Sequence, residues 1–118
     1  MGKQRHNFRE MKIWSAAMNI VKELYLLTPD LPTDERFGLI SQTQRCAVSI
    51  PSTIAEGSGR TTDKEFDYFL NVSLSSSFEL ETQLILINEI YKLETKELIE
   101  SINELQKMIL GFKRNLKV

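Results

Sequence analysis

One histidine and one cysteine in 118 residues leave little room for metal or nucleophile chemistry. A zinc site needs several His or Cys ligands, and His6 and Cys46 stand far apart in the chain. A carboxylate-bridged di-iron bundle needs a Glu-x-x-His pair on two helices, and none is present. A Ser-His-Asp or Cys-His array would have to recruit His6, near the start of the chain. Gly57-Ser58-Gly59 does not read as a phosphate loop, because it follows a helical pattern and no Gly-Lys-Ser/Thr comes after it. These absences predict no catalytic residues, no metal, no cofactor and no small-molecule substrate.

A single cysteine also excludes an internal disulfide, and Cys46 reads as a small buried apolar residue. No apolar run is long enough to span a bilayer. Met1-Gly2-Lys3-Gln4-Arg5 is basic but leads into no apolar stretch, so no signal peptide is expected. Gly2 lacks the Ser or Thr that myristoylation wants four residues on, where His6 sits. A cytoplasmic location without membrane contact is the expectation. Strand signals are weak as well, with no sustained polar–apolar alternation and no Asn-Gly or Asp-Gly hairpin.

What the chain does have is apolar residues at helical spacing. They make up 42% of the sequence, enough for a core and the size of one domain. The expected unit is a single four-helix bundle over residues 1–118, with 1–7 as a flexible N-terminal arm. Helix one is predicted to start at Asn7, with Asn7 and Glu10 at capping-box spacing. Met11, Trp14, Met18, Val21 and Tyr25 form one stripe, and Ile13, Ala17, Ile20, Leu24 and Leu27 a second beside it. Pro29 and Pro32 end it. Helix two is predicted from near Thr33, with Asp34 and Glu35 in its first turn. Ile40, Thr43, Ala47, Ile50 and Ile54 mark its inner face. Pro51 should kink it, and Gly57-Ser58-Gly59 should end it.

Helix three opens at Thr62 with Glu65 three residues on, a second capping box. Phe66, Phe69, Ser73, Ser77, Leu80, Leu84, Ile87 and Tyr91 trace its seam. Ser73 and Ser77 are small enough to admit a neighbouring helix. Helix four runs from about Thr95, with Leu98, Ile102, Leu105, Ile109, Phe112 and Leu116 inward. Short connections favour antiparallel up-down-up-down packing.

Two features point to binding. Charge is segregated: residues 1–12 carry +3 and residues 107–118 carry +4, so the stretch between them is strongly acidic in a chain of net charge −1. In an up-down-up-down bundle the two ends share a pole with the helix two–three turn. That pole gathers Lys3, Arg5, Arg9, Lys12, Arg60, Lys64, Lys113, Arg114 and Lys117, partly offset by Glu10, Glu56, Asp63, Glu65 and Asp67. Such a cluster suits phosphates, although ordinary solubilising residues near chain ends give the same pattern. The second feature is spare apolar surface. Helix three carries an additional stripe, Leu70, Leu74, Phe78 and Ile85, which suggests a homo-oligomer interface unless the kink at Pro51 buries it. Glu56 opposes the dipole of helix two, so it should pair with a nearby Arg or lie against a neighbouring chain.

Several of these residues carry a resemblance. Phe8-x-x-Met11-x-x-Trp14, then Thr28, Pro32, Glu35, Gly38-Leu39, Gln42 and Arg45, lead into Ala47-Val48-Ser49-Ile50-Pro51-Ser52-Thr53-Ile54-Ala55-Glu56-Gly57-Ser58-Gly59-Arg60. Glu65-Phe66-x-x-Phe69-Leu70 and Ser77-x-Glu79-Leu80-Glu81 continue it. Over nearly its whole length the chain resembles the bacterial 23S rRNA-intervening sequence proteins, whose signature covers Arg45, Ser49, Pro51, Ile54, Ala55, Glu56 and Gly57. The resemblance implies a four-helix bundle assembled as a homopentamer, with no established catalytic activity. The similar accessory protein of diversity-generating retroelements partners a reverse transcriptase and nucleic acid through a basic surface. Thr53 stands where the family's Asn is usual, keeping a hydroxyl and losing amide donors. Two readings follow: an oligomeric scaffold binding RNA or a ribonucleoprotein through the basic pole, and a protein-interaction adaptor with no nucleic-acid ligand.

Overall fold

A computed structural model describes residues 6–118, and among these every regular element is helical. Four α-helices run through the described residues: α1 Lys12–Leu27, α2 Ser41–Ser58, α3 Asp63–Tyr91 and α4 Lys96–Lys113. α1 packs on α2 and α4, and α3 packs on the same two helices. The core lies between them. Ile20, Leu24, Ile50, Ile54, Phe66, Leu80, Leu84, Ile102, Leu105 and Ile109 are all buried there, which accounts for the inner stripe of each helix.

Two helix starts differ from the sequence expectation. Asn7 does cap, accepting the Arg9 N–H at 3.2 Å, but the structure that it caps is the short 3₁₀ turn Phe8–Glu10. Met11 is extended, and α1 begins only at Lys12. The turn folds Phe8 back onto Trp14, ring centroids 5.3 Å apart. Likewise α2 begins at Ser41, not near Thr33. A 3₁₀ turn Thr33–Glu35 and a π-type turn Arg36–Ile40 precede it. Glu35 explains the break: its Oε1 accepts the Leu39 N–H at 3.0 Å. A Cβ at Gly38 would stand 2.5 Å from that oxygen, so glycine admits the carboxylate. At Pro51 the helix does not end, and α2 continues across it to Ser58. Thr62 caps α3 as expected, accepting the Glu65 N–H on Oγ1 at 3.1 Å, and its hydroxyl donates to Glu65 Oε1 at 3.2 Å.

The α2/α3 seam is narrow and polar. Ser73 is fully buried and donates to the Ile50 carbonyl at 3.1 Å. Thr53 donates to the Ser49 carbonyl at 2.8 Å and can accept the single Ser73 hydroxyl hydrogen in place of the Ile50 carbonyl, while Ser49 and Ser76 share a hydrogen bond at 3.0 Å. Thr53 therefore links two helices with its hydroxyl alone. The register continues to the far end, where the Tyr91 hydroxyl donates to Glu35 Oε2.

The Tyr91 and Leu39 donors hold the Glu35 carboxyl below its ordinary 4.5. Glu35 in turn raises the Tyr91 hydroxyl above 10.0. A depressed carboxyl contributes stability above its unfolded value and loses it as pH falls through the folded one. A raised phenol contributes below its unfolded value and loses it as pH rises. This link is therefore complete between about pH 4.5 and 10 and fades on both sides. Tyr91→Phe should weaken the acid dependence of stability below pH 4.5. Urea titrations of both proteins across pH 3–6 check this, and parallel curves would rule it out.

Candidate functional site

The start of α1, the α2/α3 turn and the end of α4 meet at one pole. Three sets of contacts bring them together. His6, one residue from the expected flexible arm's end, is half-buried, its ring 5.0 Å from Phe66 and 6.0 Å from Phe112. Phe66 and Phe112 lie 5.4 Å apart. The Lys117 main-chain N–H donates to Asp63 Oδ2 at 2.9 Å. The end of the arm is thus held; Lys3 and Arg5 fall outside the described residues.

The cations expected at this pole divide into two groups. Arg60 and Lys113 are engaged by acids. Arg60 pairs with Glu56 at 3.0 Å across one helical turn, and its guanidinium lies 4.6 Å over the Phe69 ring. Lys113 pairs with Asp67 at 2.9 Å and donates to Asn71. Lys64, Arg114 and the Lys117 side chain are exposed, as are Arg9 and Lys12. Among the described residues none of these five forms an ion pair. Exposed surface pairs contribute little net energy, and Arg60–Glu56 sits in that class. It does answer the question of Glu56: its charge at the end of α2 is met by Arg60.

The sequence reading missed an aromatic surface beside these cations. Tyr68 is 62% exposed, packs edge-on to Phe69 at 5.2 Å, and borders a cavity of about 370 Å³ with Arg60, Lys64 and Glu65. Lys64 and Tyr68 are four residues apart on α3, which puts them on one face. That spacing was available as a signal, but the apolar seam of α3 absorbed the aromatics. Exposed aromatic faces next to phosphate-binding charge are what unpaired nucleobases stack upon.

Of the signature residues, Ser49 and Gly57 meet α3, while Pro51 and Ala55 face α1 beside Trp14, Met18 and Val21. Gly57 is buried, and a Cβ there would stand 2.8 Å from both Phe66 Cδ1 and Phe69 Cβ. Ile54 and Pro51 are buried, and Ala55 is half-buried. Arg45 is exposed, with Nη2 2.9 Å from the Ser41 hydroxyl that it donates to. Beside it Gln42, Arg45, Cys46, Ser49, Ser76 and Glu79 line a cavity of about 350 Å³. Burial first, and then Glu79, push the Cys46 thiol up to about 11. The thiol is therefore protonated near neutrality and a poor nucleophile.

The stripe expected to make an oligomer interface is only partly on the surface. Leu70 and Leu74 are buried within the chain's own bundle, because they turn inward beside Phe66 and Ser77. Phe78 and Ile85 are exposed. Among the described residues no helix is long and apolar enough to cross a membrane, and no group of three His, Cys, Asp or Glu is placed to hold a metal.

Comparison with known proteins gives one family. The family model described as 23S rRNA-intervening sequence protein matches residues 9–111. No curated protein matches the chain.

Proposed function

The chain belongs to the 23S rRNA-intervening sequence protein family, and from that premise we propose a non-enzymatic, oligomeric scaffold that binds RNA or a ribonucleoprotein through its basic pole. We read the bundle as antiparallel, up-down-up-down, the oligomer as the homopentamer that the resemblance implied, and the location as cytoplasmic. One observation carries the ligand class: Arg9, Lys12, Lys64, Arg114 and Lys117 come to one pole from three segments, beside the exposed Tyr68. Each lysine or arginine placed on a phosphate releases counterions, which gives affinity its salt dependence.

A fluorescence titration against structured RNA, from low to near-physiological salt, tests this reading. Micromolar or tighter binding that weakens steeply with salt is expected. Arg114→Glu with Lys117→Glu should lower affinity at least about tenfold at fixed salt and flatten the salt slope. Unchanged binding in the double variant would remove this pole as the contact. No binding by the parent protein even at low salt would remove nucleic acid as the direct ligand. The engagement of Arg60 by Glu56 and of Lys113 by Asp67 favours the second reading, a protein-interaction adaptor. Partners retrieved from a lysate would then survive nuclease treatment.

A further inference from the structure

The cavity at the start of α3 has a wall that phosphate binding does not require. Tyr68 and Phe69 stand edge-on, with ring centroids 5.2 Å apart. The Arg60 guanidinium covers Phe69 at 4.6 Å, whereas Tyr68 is 62% exposed and keeps its ring open. Lys64 and Glu65 complete the lining of a space of about 370 Å³. Small-ligand sites span about 300–1,000 Å³, so this one has room for a single nucleotide and not for a duplex.

The charges around this space cancel in pairs. Arg60 is answered by Glu56, and Asp67, the neighbour of Tyr68, by Lys113. That leaves Lys64 and Glu65, one cation and one anion, both exposed at the rim. Charge alone therefore gives the space no preference for a polyanion. What it offers is an open aromatic face and a fixed acceptor.

Glu65 supplies the acceptor. The Thr61 and Thr62 hydroxyls both donate to its Oε1 at 3.2 Å, which holds the carboxylate in place. Among the described residues no donor reaches its Oε2. A carboxylate so placed accepts from the exocyclic amine of a base, as acidic side chains do from cytosine N4.

Resting on the RNA reading above, we propose that this space receives one unpaired nucleobase of the RNA. The base stacks on Tyr68, its exocyclic amine donates to Glu65 Oε2, and Lys64 meets the adjacent phosphate. Bases inside a duplex cannot enter, because their faces are stacked and their amines are paired. The ligand class is therefore a single-stranded loop or end. Cytosine carries its amine at C4, where uracil carries a carbonyl oxygen that the carboxylate repels. Stacking and this hydrogen bond release no counterions, so they add affinity without adding salt dependence.

Titrations of fluorescently labelled RNA test the site at two or more salt concentrations, with circular dichroism confirming that each variant stays helical. The probes are an unstructured mixed-sequence strand, the same strand annealed to its complement, oligo(C) and oligo(U). Tyr68→Ala should weaken binding of the single strand about fivefold or more at fixed salt, leave the duplex unchanged and keep the parent's salt slope. Tyr68→Phe should bind like the parent, since the ring is what stacks. The parent should favour oligo(C) over oligo(U). Glu65→Gln should lose or reverse that preference, because the two threonine hydroxyls claim the amide oxygen and leave its N–H facing the base. A parent that binds none of these probes would overturn the RNA reading and this site with it. Binding that Tyr68→Ala leaves unchanged, or weakens equally for strand and duplex, would overturn the base site and leave the basic pole standing. The same holds if Tyr68→Phe loses as much as Tyr68→Ala. Equal binding of oligo(C) and oligo(U) by the parent, or a preference that survives in Glu65→Gln, would overturn the role of Glu65.

Discussion

Truncation of Phe66 to alanine is expected to remove about 3–5 kcal/mol of folding free energy, the usual range for deleting a fully buried aromatic ring. Phe66 has no solvent exposure, and its ring touches Phe112 and His6 as well as the back of α2 at Gly57. Its loss therefore opens a cavity where α2, α3, α4 and the N-terminal segment converge. Total stabilities of single domains are about 5–15 kcal/mol, so the variant should stand near the edge of folding. Urea denaturation followed by circular dichroism measures it. A loss under about 1 kcal/mol would mean that the pole collapses around the missing ring, at odds with close packing.

The second large effect is expected at Gly57. Alanine should gain about 1 kcal/mol of helix propensity over glycine. Here the added methyl would meet Phe66 Cδ1 and Phe69 Cβ at 2.8 Å, well inside contact distance. The Cβ of Phe69 is fixed to the α3 backbone, so the helices must part. Overpacking of this kind costs about 1–3 kcal/mol, which outweighs the propensity gain. Valine should cost more than alanine. Combining Gly57→Ala with Phe66→Ala should be less than additive, because removing the ring relieves one of the two clashes. Strict additivity in that cycle would show that the Phe69 contact alone sets the cost. A neutral Gly57→Ala would show that α2 and α3 have room that the packing denies.

These two positions also show how far the sequence could be read. Gly57 read as part of the Gly57-Ser58-Gly59 terminator, a local property, but α2 runs through it to Ser58 and Gly59 is the cap. The larger role of Gly57 is to let Phe66 and Phe69 approach. That role depends on which helix lies opposite, and no spacing within α2 records it. Leu70 and Leu74 give the complementary case. On a helical wheel they form a stripe beside the seam, and only the position of the neighbouring helices decides that they face inward while Phe78 and Ile85 face out. At the basic pole the clustering of Arg60, Lys64 and Lys113 was readable from the order of helices. The neutralisation of Arg60 and Lys113 by Glu56 and Asp67 was not, because side-chain pairing is settled over a few ångströms. The start of α2 escaped for a similar reason. Thr33 and two acids look like a helix start, but Glu35 turns its carboxylate onto Leu39 and Tyr91 and delays the helix to Ser41.

By itself, then, the sequence determined the all-helical class, the four helices, the Thr62 cap and the inner residues, along with the family. Each of these depends on periodicity, capping chemistry or motif order, which are properties of neighbours along the chain. Tertiary structure alone decided which second stripe is surface, which cations are already answered by acids, why Gly57 carries no side chain, and that Tyr68 stands beside Lys64 at the pole. These depend on distances between residues remote in sequence, and such distances exist only once the helices have packed.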